Sequence, residues 1–365
     1  MILCEKCFKD YEVKAMIHET GKKGDCEVCN SKNINIYNTQ KDIYLKEHFE
    51  ALIDIYYVKS VLPNEYPTDH LRFVKEELKE NWNIFSSSLD VYDIDNMIKE
   101  ICSEKFIQEP EIFEEKVGIP QLAQKDYLQK HSIVGEYSWE DFVQSIMRKQ
   151  RFHTNLFNTE VLKLFFPYIE KNYKKGTIFY RARVSDKAGY SIEKMGAPPD
   201  ELATAGRANP EGISFLYLAD SVETTLYEIR AGLFDYVSVG RFELKEDINV
   251  IDLTSIDGIS AFSNFDFLTK HAINRDHLKK INNEIARPLR RNDSYLEYLP
   301  TQYICDYIKS IGIDGERKYQ YQGIEYKSTM NDSGYNLAIF DEDLFECIDV
   351  NNYDVHKIKY WYDKT

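Results

Sequence analysis

The chain lacks several things at once. None of its 365 residues fall in an apolar run of 18, so the sequence offers no transmembrane helix. Its opening residues, MILCEKCFKD, carry charge from position 5 and contain no apolar core of the kind that secretory signals need. A cytoplasmic, reducing location is therefore expected, with no membrane partner. There is no P-loop sequence and no GxGxxG. Positive charge is also short: 46 Lys and Arg face 61 Asp and Glu, for a net charge of −15 and a pI near 5.1. Such a global field repels phosphates, so nucleic acid is not the expected partner.

What is present points to packed domains. Hydrophobic residues make up 43% of the chain and aromatics 14%, which argues against disorder for most of its length. The length suggests two or three domains.

Seven cysteines in a reducing compartment do not suggest a disulfide framework. Four of them form two knuckles instead, Cys4-x2-Cys7 and Cys26-x2-Cys29, separated by residues 8–25. Two residues between cysteines let both sulfurs turn toward one metal. Two such turns complete a tetrahedron of thiolates around a structural Zn2+. So short a segment buries little core, and metal binding would supply its folding free energy. Gly21 and Gly24 suit a turn ahead of the second knuckle. Residues 1–40 hold six Lys and six Asp or Glu, a neutral balance that favours a structural or protein-contact role over a grip on phosphates. Cys102, Cys305 and Cys347 stand alone and read as ordinary buried residues.

From residue 41 to about 175 the period becomes helical. Ile43, Phe49, Ile53, Tyr56, Tyr57 and Val61 fall on one stripe. Pro63 and Pro67 end it, and Thr68 is placed to cap DHLRFVKEELKENW. VYDIDNMIKEICSEKF, SWEDFVQSIMRK and NTEVLKLFFPYIEKNY read as further helices, with Ser138 and Asp141 approximating a capping box. The expectation is an all-helical domain of four to six helices. Arg148 and His153 form an Arg-x4-His pair at a helix end, which resembles the RNA-cutting motif of HEPN-type helical domains. The pair is short, and solvated charges at a helix end explain it as well.

After Gly176 strands and helices mix. TIFYRARV reads as a strand with Tyr180 and Arg181 at its centre, and Arg181 and Arg183 share one face. Two arginines on one face suit a diphosphate or carboxylates, and equally a solvated strand face. The long loop MGAPPDELATAGRANPEG, which holds Arg207, is of the kind that covers a site. ISFLYLA is a strand, Asp220 or Ser221 a helix cap, and VETTLYEIRAGL a helix with Glu228 on it. VSVGRFEL, INVIDL, GYNLAIF and ECIDVNNYDVHKIKYWY read as strands; DHLKKINNEIARPL and LPTQYICDYIKSI read as helices.

Across about residues 176–345 this half resembles the RES domain family, the NAD+-degrading toxins of RES–Xre toxin–antitoxin pairs. The resemblance is carried by YRAR at 180–183, GRANPEG at 206–212 and FLYLADSVETTLYE at 215–228. YLPTQYICDYI at 298–308, GIDG at 312–315, YKS at 326–328 and YNLAIFD extend it. The helical stretch before it is similar to the HEPN-like region that precedes larger RES domains. The segment between GIDG and YKS is longer than the family pattern, and the zinc knuckles are not part of the small toxin.

The resemblance implies a fold like that of ADP-ribosyltransferases and NAD+ as substrate, cleaved at the nicotinamide–ribose bond by water or phosphate. It implies Arg207, Tyr217, Glu228 and Ser328 as active residues, with Arg181 holding NAD+ beside Tyr180, and Arg183 available to position phosphate. Taken singly, Glu228 also fits a helix-surface charge, Tyr217 plain core and Arg207 a loop brace. The expected whole is a multidomain α+β chain: a Cys4 zinc ribbon at 1–40, a helical domain at 41–175 and a RES domain at 176–365. A protein regulator or antitoxin, self-association, transfer of ADP-ribose to a macromolecule and an HEPN-type RNase activity stay open as partners and alternatives.

Overall fold

Asp10 starts the first α-helix. Its Oδ1 accepts from the amides of Glu12 and Val13 at 3.0 and 3.1 Å, and the helix Tyr11–Glu19 follows. Gly21 ends it in the left-handed region at φ +64°, where a side chain would be strained. This helix lies inside the spacer between the two cysteine knuckles. Around it, β1 (Ile2–Cys4), β2 (Lys23–Gly24) and β3 (Ile34–Asn38) form an antiparallel sheet in the order β1-β3-β2. The structure, a computed structural model, describes residues 1–288, 294–312, 319–331 and 333–358.

The stretch 41–175 is not all helical. Helices form at Tyr44–Ile53, Val91–Ile101 and Trp139–Arg148, the last capped by the Ser138–Asp141 box. However, β4 (Tyr57–Val58), β5 (Arg72–Phe73) and β6 (Lys116–Gly118) make a second small sheet, and β7 (Glu170–Tyr173) joins a third. Strands of two or three residues are too short to show alternation, so composition read as helix. Thr68 caps no α-helix; it opens a 3-10 turn with no side-chain cap. In NTEVLKLFFPYIEKNY the helix stops at Lys163, Pro167 sits in a 3-10 turn, and the chain leaves as β7.

The chain divides into two compact units. The first comprises Met1–Glu136 and Gly258–His277. Phe262, from its second segment, packs on Phe49 with ring centroids 5.2 Å apart. Asn274 accepts from the Ile133 amide and donates to the His131 carbonyl, both at 2.7 Å. Arg275 stacks over Trp82.

The second unit, Tyr137–Asp257 and Leu278–Thr365, is built on an eight-stranded sheet. It adds to β7 the strands β8 (Ile178–Ser185), β9 (Leu216–Ala219), β10 (Tyr236–Leu244), β11 (Ile248–Asp252), β12 (Gly323–Lys327), β13 (Tyr335–Ile339) and β14 (Phe345–Asp354). The order is β14-β10-β8-β9-β13-β12-β11-β7, antiparallel except for β11–β12. Register places Tyr217 opposite Ala338, and Asn336 opposite both Ala219 and Tyr326. Directly opposed residues share a face, so Tyr217, Asn336 and Tyr326 point the same way. The other face carries Leu216, Leu218, Leu337 and Ile339 into an apolar core. One carboxylate, Glu325, is buried there; it accepts from Lys171 Nζ at 2.7 Å and from the Tyr173 hydroxyl. Burial raises its pKa. Most of GIDG, and the end of the tail strand expected through residue 362, lie outside the described residues.

Candidate active site

Ser221, not Asp220, caps the helix after β9: its Oγ accepts from Thr224 N at 3.2 Å. The helix runs only from Val222 to Glu228, which puts Glu228 at its last turn rather than mid-helix. There the carboxylate is held by two donors on one oxygen. Ser328 Oγ donates to Oε1 at 2.6 Å and Asn336 Nδ2 donates to the same atom at 2.9 Å.

Tyr217 is half-buried in β9, and its hydroxyl is fully used. It donates to Asn209 Oδ1 at 2.6 Å and accepts from Ala208 N at 3.1 Å. Burial pushes the phenol upward, so it stays neutral at working pH. Asn209, itself buried, donates to the carbonyls of Thr204, Pro210 and Ile213, which folds the GRANPEG loop around its own side chain. Gln302 donates to the carbonyls of Gly206 and Asn209 at 2.7 and 2.9 Å, and Thr301 to that of Arg207 at 2.6 Å. Gly206 is required by close approach: a Cβ there would lie 2.4 Å from Asn209 Oδ1 and 2.7 Å from the Tyr217 hydroxyl.

Held in this way, the loop presents Arg207. Its guanidinium donates to the Ile285 carbonyl and lies 5.7 Å from the Tyr326 ring centre. Arg181, from the middle of β8, donates to the Tyr217 carbonyl at 3.1 Å. Its Nε is buried and makes no hydrogen bond among the described residues. Burial, and then the nearby Arg183, push its pKa down to about 10, so it remains charged at neutral pH. A half-buried cation with an idle donor is suited to an anionic ligand.

Arg181, Arg207, Tyr217, Glu228 and Tyr180 line one cavity of about 320 Å³, together with Asn336 and Tyr326. Ser328 is only 3% exposed and reaches the cavity through Glu228. Arg183 does not line it, although it shares a strand face with Arg181. Its guanidinium donates to the Lys194 carbonyl and stacks 4.7 Å from the Tyr190 ring centre. Asn209, Asn336 and Gln302 were not singled out by sequence reasoning. The one available signal was a polar residue inside the apolar strand GYNLAIF, at Asn336.

In the first unit Cys4, Cys7, Cys26 and Cys29 converge, with their four sulfurs within 4.8 Å of one another. The closest pairs lie at 3.4, 3.5 and 3.9 Å. A tetrahedral zinc with ~2.3 Å bonds to sulfur sets its ligands about 3.8 Å apart, so the donors fit such an ion in kind and spacing. Cys102 and Cys305 are buried and Cys347 half-buried, all apart from the cluster. Arg148 closes its helix, and His153 is exposed beyond it; neither lines the second unit's cavity.

The second unit is thus an α+β domain with a cavity lined by a charged, half-buried arginine and a carboxylate that two donors hold by one oxygen. Comparison with known families makes this particular. Residues 178–363, slightly more than half of the chain, match the RES domain, and the chain belongs to that family. Membership is consistent with an NAD+-directed toxin function. No curated protein and no solved structure matches the chain. No helix among the described residues is long and apolar enough to cross a membrane.

Proposed function

We propose that the protein cleaves NAD+ at the nicotinamide–ribose bond, with water or phosphate as acceptor, and acts as a toxin or anti-phage effector. The observation that carries this reading is the convergence of Arg181, Arg207, Tyr217 and Glu228 on one cavity inside the residues that match the RES domain. Nicotinamide departs from NAD+ neutral, and positive charge develops on the ribose. A fixed carboxylate beside that ribose stabilises the charge where it forms, which is the role of Glu228. Arg181 and Arg207 would hold the pyrophosphate. The Tyr217 ring would support nicotinamide, while its hydroxyl keeps the Arg207 loop in shape. The Ser328 hydroxyl is engaged by Glu228 and by the amides of Met330 and Asn331, so it serves through the carboxylate rather than by touching substrate. The Arg183 side chain is engaged elsewhere, which gives no support to a phosphate-positioning role.

In this reading Cys4, Cys7, Cys26 and Cys29 hold a structural zinc, and the segments 1–40 and 41–175 restrain or direct a catalytic segment at 176–365, in the cytoplasm and open to a protein regulator. The test is NAD+ loss and nicotinamide release by purified protein, with and without phosphate, beside Glu228→Ala. Release that vanishes in the variant supports the reading, and phosphate dependence names the acceptor. Equal release from both proteins overturns it.

A further inference from the structure

We propose that Asn336 is a positioning residue: with Ser328 it grips Glu228 by Oε1 alone and so reserves Oε2 for the substrate. The proposal rests on the NAD+ reading above and extends it to a residue of the YNLAIFD block that the resemblance does not name as active. Both donors meet the same oxygen, Ser328 at 2.6 Å and Asn336 at 2.9 Å. Among the described residues Oε2 accepts no hydrogen bond, while Glu228 lines the cavity. Both donors are themselves fixed. Asn336 is 4% exposed within β13, paired on one side to Ala219 and on the other to Tyr326. Ser328 is 3% exposed, and its Oγ accepts from Met330 N at 3.3 Å and Asn331 N at 3.2 Å, so its one proton goes to Glu228.

The same loop ties the helix at its other end. Asn331 Nδ2 donates to Thr224 Oγ1 at 2.9 Å, and Thr224 is fully buried beside the Ser221 cap. The helix bearing Glu228 is thus pinned at its first turn by Thr224 and at its last by Glu228. A carboxylate with one oxygen clamped by two neutral donors keeps a single rotamer and one defined acceptor. With that clamp loosened, Glu228 would still be present but would no longer be aimed at the ribose. Misplacement of a catalytic group by about 1 Å is enough to lower a rate on the order of 100-fold.

The experiment measures kcat and KM for NAD+ in the full-length protein and in Asn336→Ala, Asn336→Asp, Ser328→Ala and the Ala/Ala double variant, with thermal melting of each. Asn336→Asp keeps the shape but opposes one carboxylate with another. The expected result is a fall in kcat of about 10- to 100-fold for each alanine variant, with KM changed less than about 3-fold. Asn336→Asp should fall further. The double variant should fall little beyond the worse single one, because the two donors serve one oxygen. Wild-type kcat in Asn336→Ala, or losses that multiply in the double variant, would overturn the proposal while leaving NAD+ cleavage intact. A wild type that neither cleaves nor binds NAD+ would overturn both. Should Asn336→Asp melt early, the non-additivity of the alanine pair decides.

Discussion

The cysteine cluster and the cavity of the second unit are sites of two different kinds. The cluster is local: its four ligands fall within residues 4–29, and each pair sits on one tight knuckle. The cavity is assembled from β8, β9, β12 and β13, a long loop and a helix end, across residues 180–336. In the cluster each ligand is its own functional group, and neighbours matter little beyond the turn that carries them. In the cavity Glu228 is held by the side chains of Ser328 and Asn336, and Arg207 sits on a loop stapled through Tyr217 and Asn209. A local site is set by spacing, whereas a sheet-built site is set by register.

Replacing the central group tests that contrast most severely. Glu228→Gln keeps shape and removes charge, and NAD+ cleavage is expected to drop about 1,000-fold with little change in melting temperature. A variant that keeps near wild-type turnover would break the assignment of the cavity as the reacting centre. Metal removal acts oppositely. Chelation, or Cys7→Ser with Cys26→Ser, should abolish bound zinc of about one ion per chain and unfold the first unit, seen as loss of its melting transition. Metal retention should also weaken as pH falls, because protons compete for the thiolates. Elemental analysis across pH checks both points, and a cluster that holds no metal at any pH would make it a plain buried-cysteine core.

A smaller effect is expected at the junction of loop and sheet. Tyr217→Phe keeps the ring but leaves Ala208 N–H and Asn209 Oδ1 each short of a partner, at about 1–3 kcal/mol. The loop should become easier to cleave by protease and KM for NAD+ should rise several-fold. An unchanged cleavage pattern would mean that the ring, not the hydroxyl, is what the site requires. His153→Ala should do least. The side chain is exposed and outside the cavity, so NAD+ consumption should match wild type. RNA cleavage that disappears in this variant would instead revive the Arg148–His153 reading.

The sequence alone determined the two cysteine pairs as one cluster with the spacing of a metal site, because a knuckle of two intervening residues can turn both sulfurs to one point. It determined the strand of Arg181, the strand of Tyr217 and the helix of Glu228 as neighbours in order, because alternation and a Ser cap act over a few residues. Tertiary structure decided what those side chains touch. The resemblance implied Ser328 as an active residue and left Arg183 available to position phosphate; in the structure Ser328 donates to Glu228, while Arg183 donates to the Lys194 carbonyl and stacks on Tyr190. Asn336 lay in the YNLAIFD block with no role assigned to it, and it reaches Glu228 because the register of β13 with β9 and β12 sets its side chain on the cavity face. Residues 258–277 joined the first unit although their neighbours in sequence lie in the second, through the packing of Phe262 and the bonds of Asn274. Spacing along the chain is short-range information. Contacts between residues a hundred positions apart depend on how strands pair, which no local pattern encodes.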